Sequence, residues 1–112
     1  MLLLGKPRFI DGNERVFREI VQGEDLVLNC TADGDPPPKI EWTKDGQIVR
    51  QGGALVQGQL GIGPEYVISP DGFSLHVYGV VHAVSGVFTC LASNPLGLDT
   101  KEFRVNVKSE IE

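Results

Sequence analysis

A period-two alternation of apolar and polar residues begins near residue 24 and recurs to the end of the chain. Leu26, Leu28, Cys30 and Ala32 alternate with Asp25, Val27, Asn29 and Thr31. One face is therefore apolar and carries a cysteine, as in a half-buried strand. Ile40 and Trp42 repeat the pattern against Glu41 and Thr43, and Phe73, Leu75 and Val77 against Ser74, His76 and Tyr78. Phe88, Cys90 and Ala92 alternate with Thr89, Leu91 and Ser93, and Phe103, Val105 and Val107 close the series. Residues 48–49 and 66–68 read as two shorter strands. Lys44-Asp45-Gly46-Gln47, Ser69-Pro70-Asp71-Gly72 and Asn94-Pro95-Leu96-Gly97 are turn signals between them. Asp33-Gly34-Asp35-Pro36-Pro37-Pro38 predicts an extended loop, since three prolines cannot donate to a ladder. Regularly spaced short strands separated by turns make a sandwich or barrel. Residues 13–22 dissent: Val16, Phe17, Ile20 and Val21 have helical spacing, with Asn13 and Gly23 as candidate caps, so this segment alone reads as helix.

Composition agrees with an all-β chain. Val and Ile together number 20 and Ala only 4. Gly plus Pro make 21 of 112 residues, well above the ~12% of average usage. The length suits one domain with a single core. A net charge of −5 argues against a nucleic-acid partner, whose footprint is basic. No apolar run approaches the ~18 residues of a membrane span, so no membrane insertion by this module is expected. Met1-Leu2-Leu3-Leu4 holds too few leucines for the apolar region of a signal peptide, and the expectation is one module cut from a longer protein.

The two cysteines, Cys30 and Cys90, cannot form a four-ligand zinc site: no CxxC exists, and His76 and His82 lie far in sequence from Cys30. The sharper reading is a disulfide and the alternative a buried reduced pair. Closing a loop of this size would stabilise the fold by about 4 kcal/mol and would imply an oxidising compartment.

Cys30, Trp42 and Cys90, all on inward faces, form a specific triplet. Gly23-Glu24-Asp25-Leu26-Val27-Leu28-Asn29-Cys30, then the run Gly34 through Gly46 around Trp42, then Ser85-Gly86-Val87-Phe88-Thr89-Cys90-Leu91-Ala92-Ser93-Asn94 give it a context. Over residues 7–108 the chain resembles the I-set branch of the immunoglobulin superfamily, whose tryptophan packs on an inter-sheet disulfide. The resemblance implies an all-β, two-sheet immunoglobulin-like sandwich with one inter-sheet disulfide, residues 1–6 and 109–112 being linkers. It also revises residues 13–22 to strand, because the first strand of I-set domains breaks into two halves that pair with different sheets. The chain departs from the family in three places. Phe88 stands where the tyrosine of the tyrosine corner is expected, forgoing a hydrogen bond worth about 1 kcal/mol. Val84 replaces an aspartate before the Ser-Gly pair, so an apolar side chain packs there instead. The cysteines are 60 apart, and the surplus falls in residues 51–64, which hold no charge and five glycines.

Smaller motifs carry weaker chemistry. Asn29-Cys30-Thr31 fits a glycosylation acceptor, with Asn29 facing away from Cys30. Leu98-Asp99-Thr100 resembles acidic tripeptides read by integrins, but it reads first as an ordinary strand start. Asp33-Gly34-Asp35 is not a calcium loop, since Lys44 occupies the twelfth position. No metal or cofactor is expected. No nucleophile elbow, phosphate loop or dinucleotide fingerprint occurs, so the expected role is non-catalytic. The resemblance implies a module acting by protein binding, homophilic or heterophilic, beside neighbouring domains of its own chain. The expected setting is extracellular or the cell surface, in an adhesion, receptor or matrix protein. The alternative is a cytoplasmic sarcomeric or cytoskeletal module acting as an elastic or scaffold element. Glu41, Thr43, Leu91 and Arg104 are expected to face outward on one sheet, with Leu91 as its apolar anchor. Val27, Asn29, His76 and Tyr78 are expected to face outward on the other. Leu55 and Leu60 are candidate contacts if residues 51–64 form a binding loop rather than a hairpin.

Overall fold

The alternating segments fold as strands that bury their apolar faces against each other. The computed structural model describes residues 5–50 and 65–109, and the expectations for residues 51–64, including Leu55 and Leu60, lie outside them. Ten strands follow in chain order among the described residues: β1 Gly5–Phe9, β2 Val16–Val21, β3 Leu26–Asn29, β4 Ala32–Asp35, β5 Lys39–Lys44, β6 Gln47–Ile48, β7 Glu65–Ile68, β8 Ser74–Tyr78, β9 Gly86–Asn94 and β10 Gly97–Lys108. One sheet has the order β2-β10-β9-β5-β6, a second β3-β8-β7, and β1 pairs with β4 as a two-stranded extension. All neighbours are antiparallel except β2 and β10, which run parallel from Val16↔Phe103 to Val21↔Lys108. The result is an all-β sandwich.

The core is the predicted inward set. Leu26, Leu28, Cys30 and Ala32 meet Trp42, Leu75, Val77, Phe88, Cys90, Ala92, Phe103, Val105 and Val107, all buried. Cys30 and Cys90 are bonded, and the bridge joins the end of β3 in one sheet to β9 in the other. Trp42 pairs in register with Cys90 and donates its indole N–H to the Gly72 carbonyl oxygen at 2.8 Å. Gly72 has φ +82°, and a Cβ there would lie 2.9 Å from Ile40 Cβ, so both conformation and space favour glycine. The Lys44–Gln47 turn puts Asp45 (φ 49°) and Gly46 (φ 86°) at its centre, the Asp-Gly signature of a two-residue hairpin.

Two expectations drawn from pattern alone are corrected. Residues 16–21 form a strand, not the helix that their spacing suggests. Val16 and Ile20 point inward beside Phe103 and Val107, while Phe17 and Val21 point outward. The helical look arises because Arg18 occupies an inward position; it resolves this by donating from Nη1 to the Val27 carbonyl of the opposite sheet at 3.0 Å. Asp33, Gly34 and Asp35 belong to β4, not to the loop, because β1 supplies them with a partner strand and Arg8 pairs with Asp33 at 3.1 Å. The chain leaves the ladder only at Pro36, which has no N–H to give.

The first and last described segments emerge at opposite ends. Gly5 is held beside the β9–β10 turn by Asn94 Nδ2, which donates to its carbonyl at 2.9 Å, whereas the chain leaves after Lys108 at the far end of β10. Twelve residues of strand separate these ends by roughly 36 Å.

Val84 ends a single 3-10 turn, His82–Val84, and is fully buried. Val84→Asp, although it restores the residue usual in the family that the chain resembles, is expected to destabilise the domain by about 3 kcal/mol or more, because the carboxylate would enter an apolar site unpaired. Urea denaturation checks this: an unchanged or raised midpoint would show that the corner accepts the charge.

Candidate binding face

The outer face of the five-stranded sheet is a flat grid set by register. One row is Phe17–Arg104–Val87, from β2 through β10 to β9. The next is Glu102–Thr89–Thr43–Ile48, followed by Thr100–Leu91–Glu41 and then Leu98–Ser93–Lys39. Glu41, Thr43, Leu91 and Arg104 thus lie on one surface, as expected from the alternation. Leu91, expected as the apolar anchor, is half-buried, because Glu41 and Thr100 flank it on both neighbouring strands. Phe17 and Leu98 are the most exposed apolar side chains of this face instead, at 71% and 62%, with Ile48 next. Neither Phe17 nor Leu98 was expected on this face from the sequence. For Phe17 the missed signal was its phase: once Val16 and Ile20 point inward, residue 17 must point out.

A charged cluster adjoins Phe17. Arg15 Nε and Arg104 Nε both lie 2.8 Å from Glu102 Oε2. The Arg104 hydrogen bond, helped by the charges of both guanidiniums, holds the Glu102 carboxyl below its ordinary value. Two guanidiniums on one carboxylate leave a local positive excess on a chain of net charge −5. Phe17, Arg18, Glu19, Arg104, Val105 and Asn106 line a shallow depression of about 410 Å³ along the β2–β10 edge. Glu19 pairs with Lys108 at 3.2 Å on the same edge. Apolar ring, local positive charge and open groove make this end of the face suited to a protein surface with an apolar knob and an acidic rim.

The outer face of the three-stranded sheet differs. Asp25, Val27 and Asn29 stand beside Tyr78, His76 and Ser74, and Glu65 and Val67 flank Tyr78 and His76 from the other side. Asp99, the carboxylate of the integrin-like tripeptide, accepts a hydrogen bond from Asn13 Nδ2 at 2.9 Å and lies within β10 as an ordinary strand residue. Asn94, legible in the sequence only as a turn residue, ties three segments together: its Nδ2 donates to Gly5 and Pro36 carbonyls and its Oδ1 accepts from Leu96 N–H.

The comparisons place this geometry. The family model described as immunoglobulin I-set domain matches residues 7–107. Hemicentin-2 of Mus musculus is 33% identical over 105 residues, covering 94% of this chain and 2% of that relative. The chain thus spans a very small part of the curated relatives it matches. Among solved structures, titin domain M7 superposes with a TM-score of 0.73 at 22% identity, covering 96% of this chain and 99% of that one. The Drosophila OTK extracellular domains 3–5 superpose at 0.71 with 23% identity, over 92% of this chain and 32% of that one.

Glu102 makes the ion cluster depend on pH in one direction. A carboxyl whose folded pKa is lowered contributes fully above its unfolded value and loses that contribution as pH falls through the folded one. Carbon-detected NMR titration should place the Glu102 midpoint below the ordinary glutamate range, and Arg104→Ala should move it upward. A midpoint unmoved by Arg104→Ala would mean that the cluster does not form in solution.

Proposed function

The chain belongs to the immunoglobulin I-set family, and on that premise we propose that it is an extracellular adhesion, receptor or matrix module that binds a protein partner through the Phe17 end of its five-stranded sheet. Immunoglobulin I-set domains are non-catalytic modules of multidomain chains that act in protein–protein interaction, and this chain shares that class. The observation that carries the finer reading is Phe17 itself. A phenylalanine 71% exposed on the outer face of a sheet, where Leu98 and Ile48 are the other exposed apolar side chains, costs solvation and adds nothing to the core. Its neighbours Arg104 and Arg15 supply a positive rim, and Glu41, Thr43 and Leu91 extend the contact surface as complementary but weaker elements. The module occupies residues 7–108, with Gly5 and Lys6 extending its first strand and the flanking residues joining neighbouring domains. Opposite ends suit a tandem array. The Cys30–Cys90 bridge supports the extracellular setting over the cytoplasmic, elastic alternative.

Two measurements test the reading. Beads coated with the module should cluster if the partner is a second copy, or should bind receptor-bearing cells if it is another protein. Phe17→Asp should weaken either at least tenfold, the worth of about 1.4 kcal/mol, while leaving the melting temperature within about 2 °C. Equal binding by Phe17→Asp would discard this face. Alkylation of the parent protein recovered from its native compartment should find Cys30 and Cys90 blocked. Two alkylated cysteines would select the cytoplasmic alternative.

A further inference from the structure

We propose that Asn29 carries an N-linked glycan and that the innermost sugar of this glycan packs on the free face of the His76 ring. The proposal rests on the extracellular reading above. Asn29 and Thr31 of the Asn29-Cys30-Thr31 acceptor are both exposed, on the outer side of the three-stranded sheet. Asn29 Oδ1 accepts a hydrogen bond from Ser74 Oγ at 2.9 Å, which engages the amide through its oxygen and leaves Nδ2, the atom that is glycosylated, as the other end of an exposed side chain. Cys90 lies 60 residues after Cys30, so the acceptor leaves the ribosome well before the bridge that would bury its central residue can close.

In the transfer, Asn29 Nδ2 forms a bond to the anomeric carbon of an oligosaccharide carried on a lipid diphosphate. The bond from that carbon to the diphosphate oxygen breaks. The lipid diphosphate leaves with the electron pair, and one amide proton passes to the transferase base.

Where the attached sugar goes follows from register. Asn29 pairs with Ser74 and Val27 with His76, so His76 is the diagonal neighbour of Asn29, roughly 7–8 Å away. The His76 and Tyr78 rings stack with centroids 6.0 Å apart and planes 22° from parallel. Both project from β8 two residues apart, so Tyr78 covers one face of the imidazole and the other face looks down the strand toward Ser74 and Asn29. Val27 and Val67 flank His76 on the two neighbouring strands. The apolar C–H face of a pyranose fits against such a walled ring, and its hydroxyls remain in water. No other described aromatic pair is presented this way beside an acceptor asparagine.

The test uses the whole module secreted from a eukaryotic host. Mass spectrometry before and after peptide N-glycosidase treatment should show a glycan, absent in Asn29→Gln and equally in Thr31→Ala, which keeps the asparagine. The glycosylated form should melt about 3 °C or more above the same sequence secreted without sugar from tunicamycin-treated cells, whose Asn29 stays an amide, and the His76 ring proton resonances should differ between the two forms. In His76→Ala that difference between the two forms should vanish while the glycan remains. Comparing two forms of one variant cancels any loss of stability from the substitution itself. An unmodified Asn29 in the secreted module overturns the acceptor. A glycan that changes neither melting nor the His76 resonances overturns the packing. Neither outcome depends on the thiol state of the native parent, which alone decides the compartment.

Discussion

Trp42 stands between the two sheets, in register with Cys90, and its indole N–H is held by the Gly72 carbonyl. Everything else in the domain is arranged around that contact. The bridge joins the sheets, the indole fills the space beside it, and the hydrogen bond fixes the β7–β8 turn against β5. Phe103 meets the indole from β10 with ring centroids 5.7 Å apart. The bond to Gly72 is also the reason that an aromatic hydrocarbon is not equivalent here, since removing the indole N–H would leave a part-buried carbonyl without its donor.

The corner where β9 begins shows how a fold keeps its shape after losing a habitual contact. Phe88 has no hydroxyl to anchor the corner, and Val84 has no charge. Two other groups hold the same stretch of chain. Asp45 Oδ1 accepts the Val87 N–H at 2.9 Å while its own N–H donates to the Val87 carbonyl at 2.8 Å. That backbone bond holds the Asp45 carboxyl below its usual range. On the other side, Ser85 Oγ accepts the Val107 N–H. Phe88 itself is wholly buried against Tyr66, whose hydroxyl burial pushes up to about 12. The corner has exchanged one side-chain anchor for an apolar contact clamped by its neighbours.

Strands with at least two apolar inward residues in alternation were legible in the sequence: β3, β5, β8, β9 and β10 follow from it, even though Lys101 of β10 is buried opposite Cys90, and the Cys30, Trp42, Cys90 triplet pointed to the pairing of the sheets. What alternation could not show depends on partners distant in sequence. Asp33 and Asp35 look like loop residues until β1 is laid beside them. Leu91 looks like an exposed leucine until Glu41 and Thr100 are placed on either side. Asn94 looks like any turn asparagine until Gly5 and Pro36 come within reach of its amide. The outer face of the five-stranded sheet was legible as a set of outward positions, but its most exposed apolar member was hidden inside the one strand whose pattern reads as helix.

That strand also explains what kind of contact its edge permits. β2 is the outer strand of the five-stranded sheet, so one side of its backbone faces away from β10. An exposed strand edge invites another strand to add to it. Here Arg18 occupies an inward register position at the edge, and its guanidinium donates to the Val27 carbonyl of the other sheet. Glu19, paired with Lys108, places a second charge on the same edge. Inward-pointing and edge charges of this kind oppose backbone pairing. Phe17 precedes both on the strand, exposed yet set among charges, so the edge presents an apolar side chain while discouraging strand addition. The same residue that disguised β2 as a helix in the sequence is what lets an exposed phenylalanine sit at a sheet edge without making that edge adhesive along its backbone.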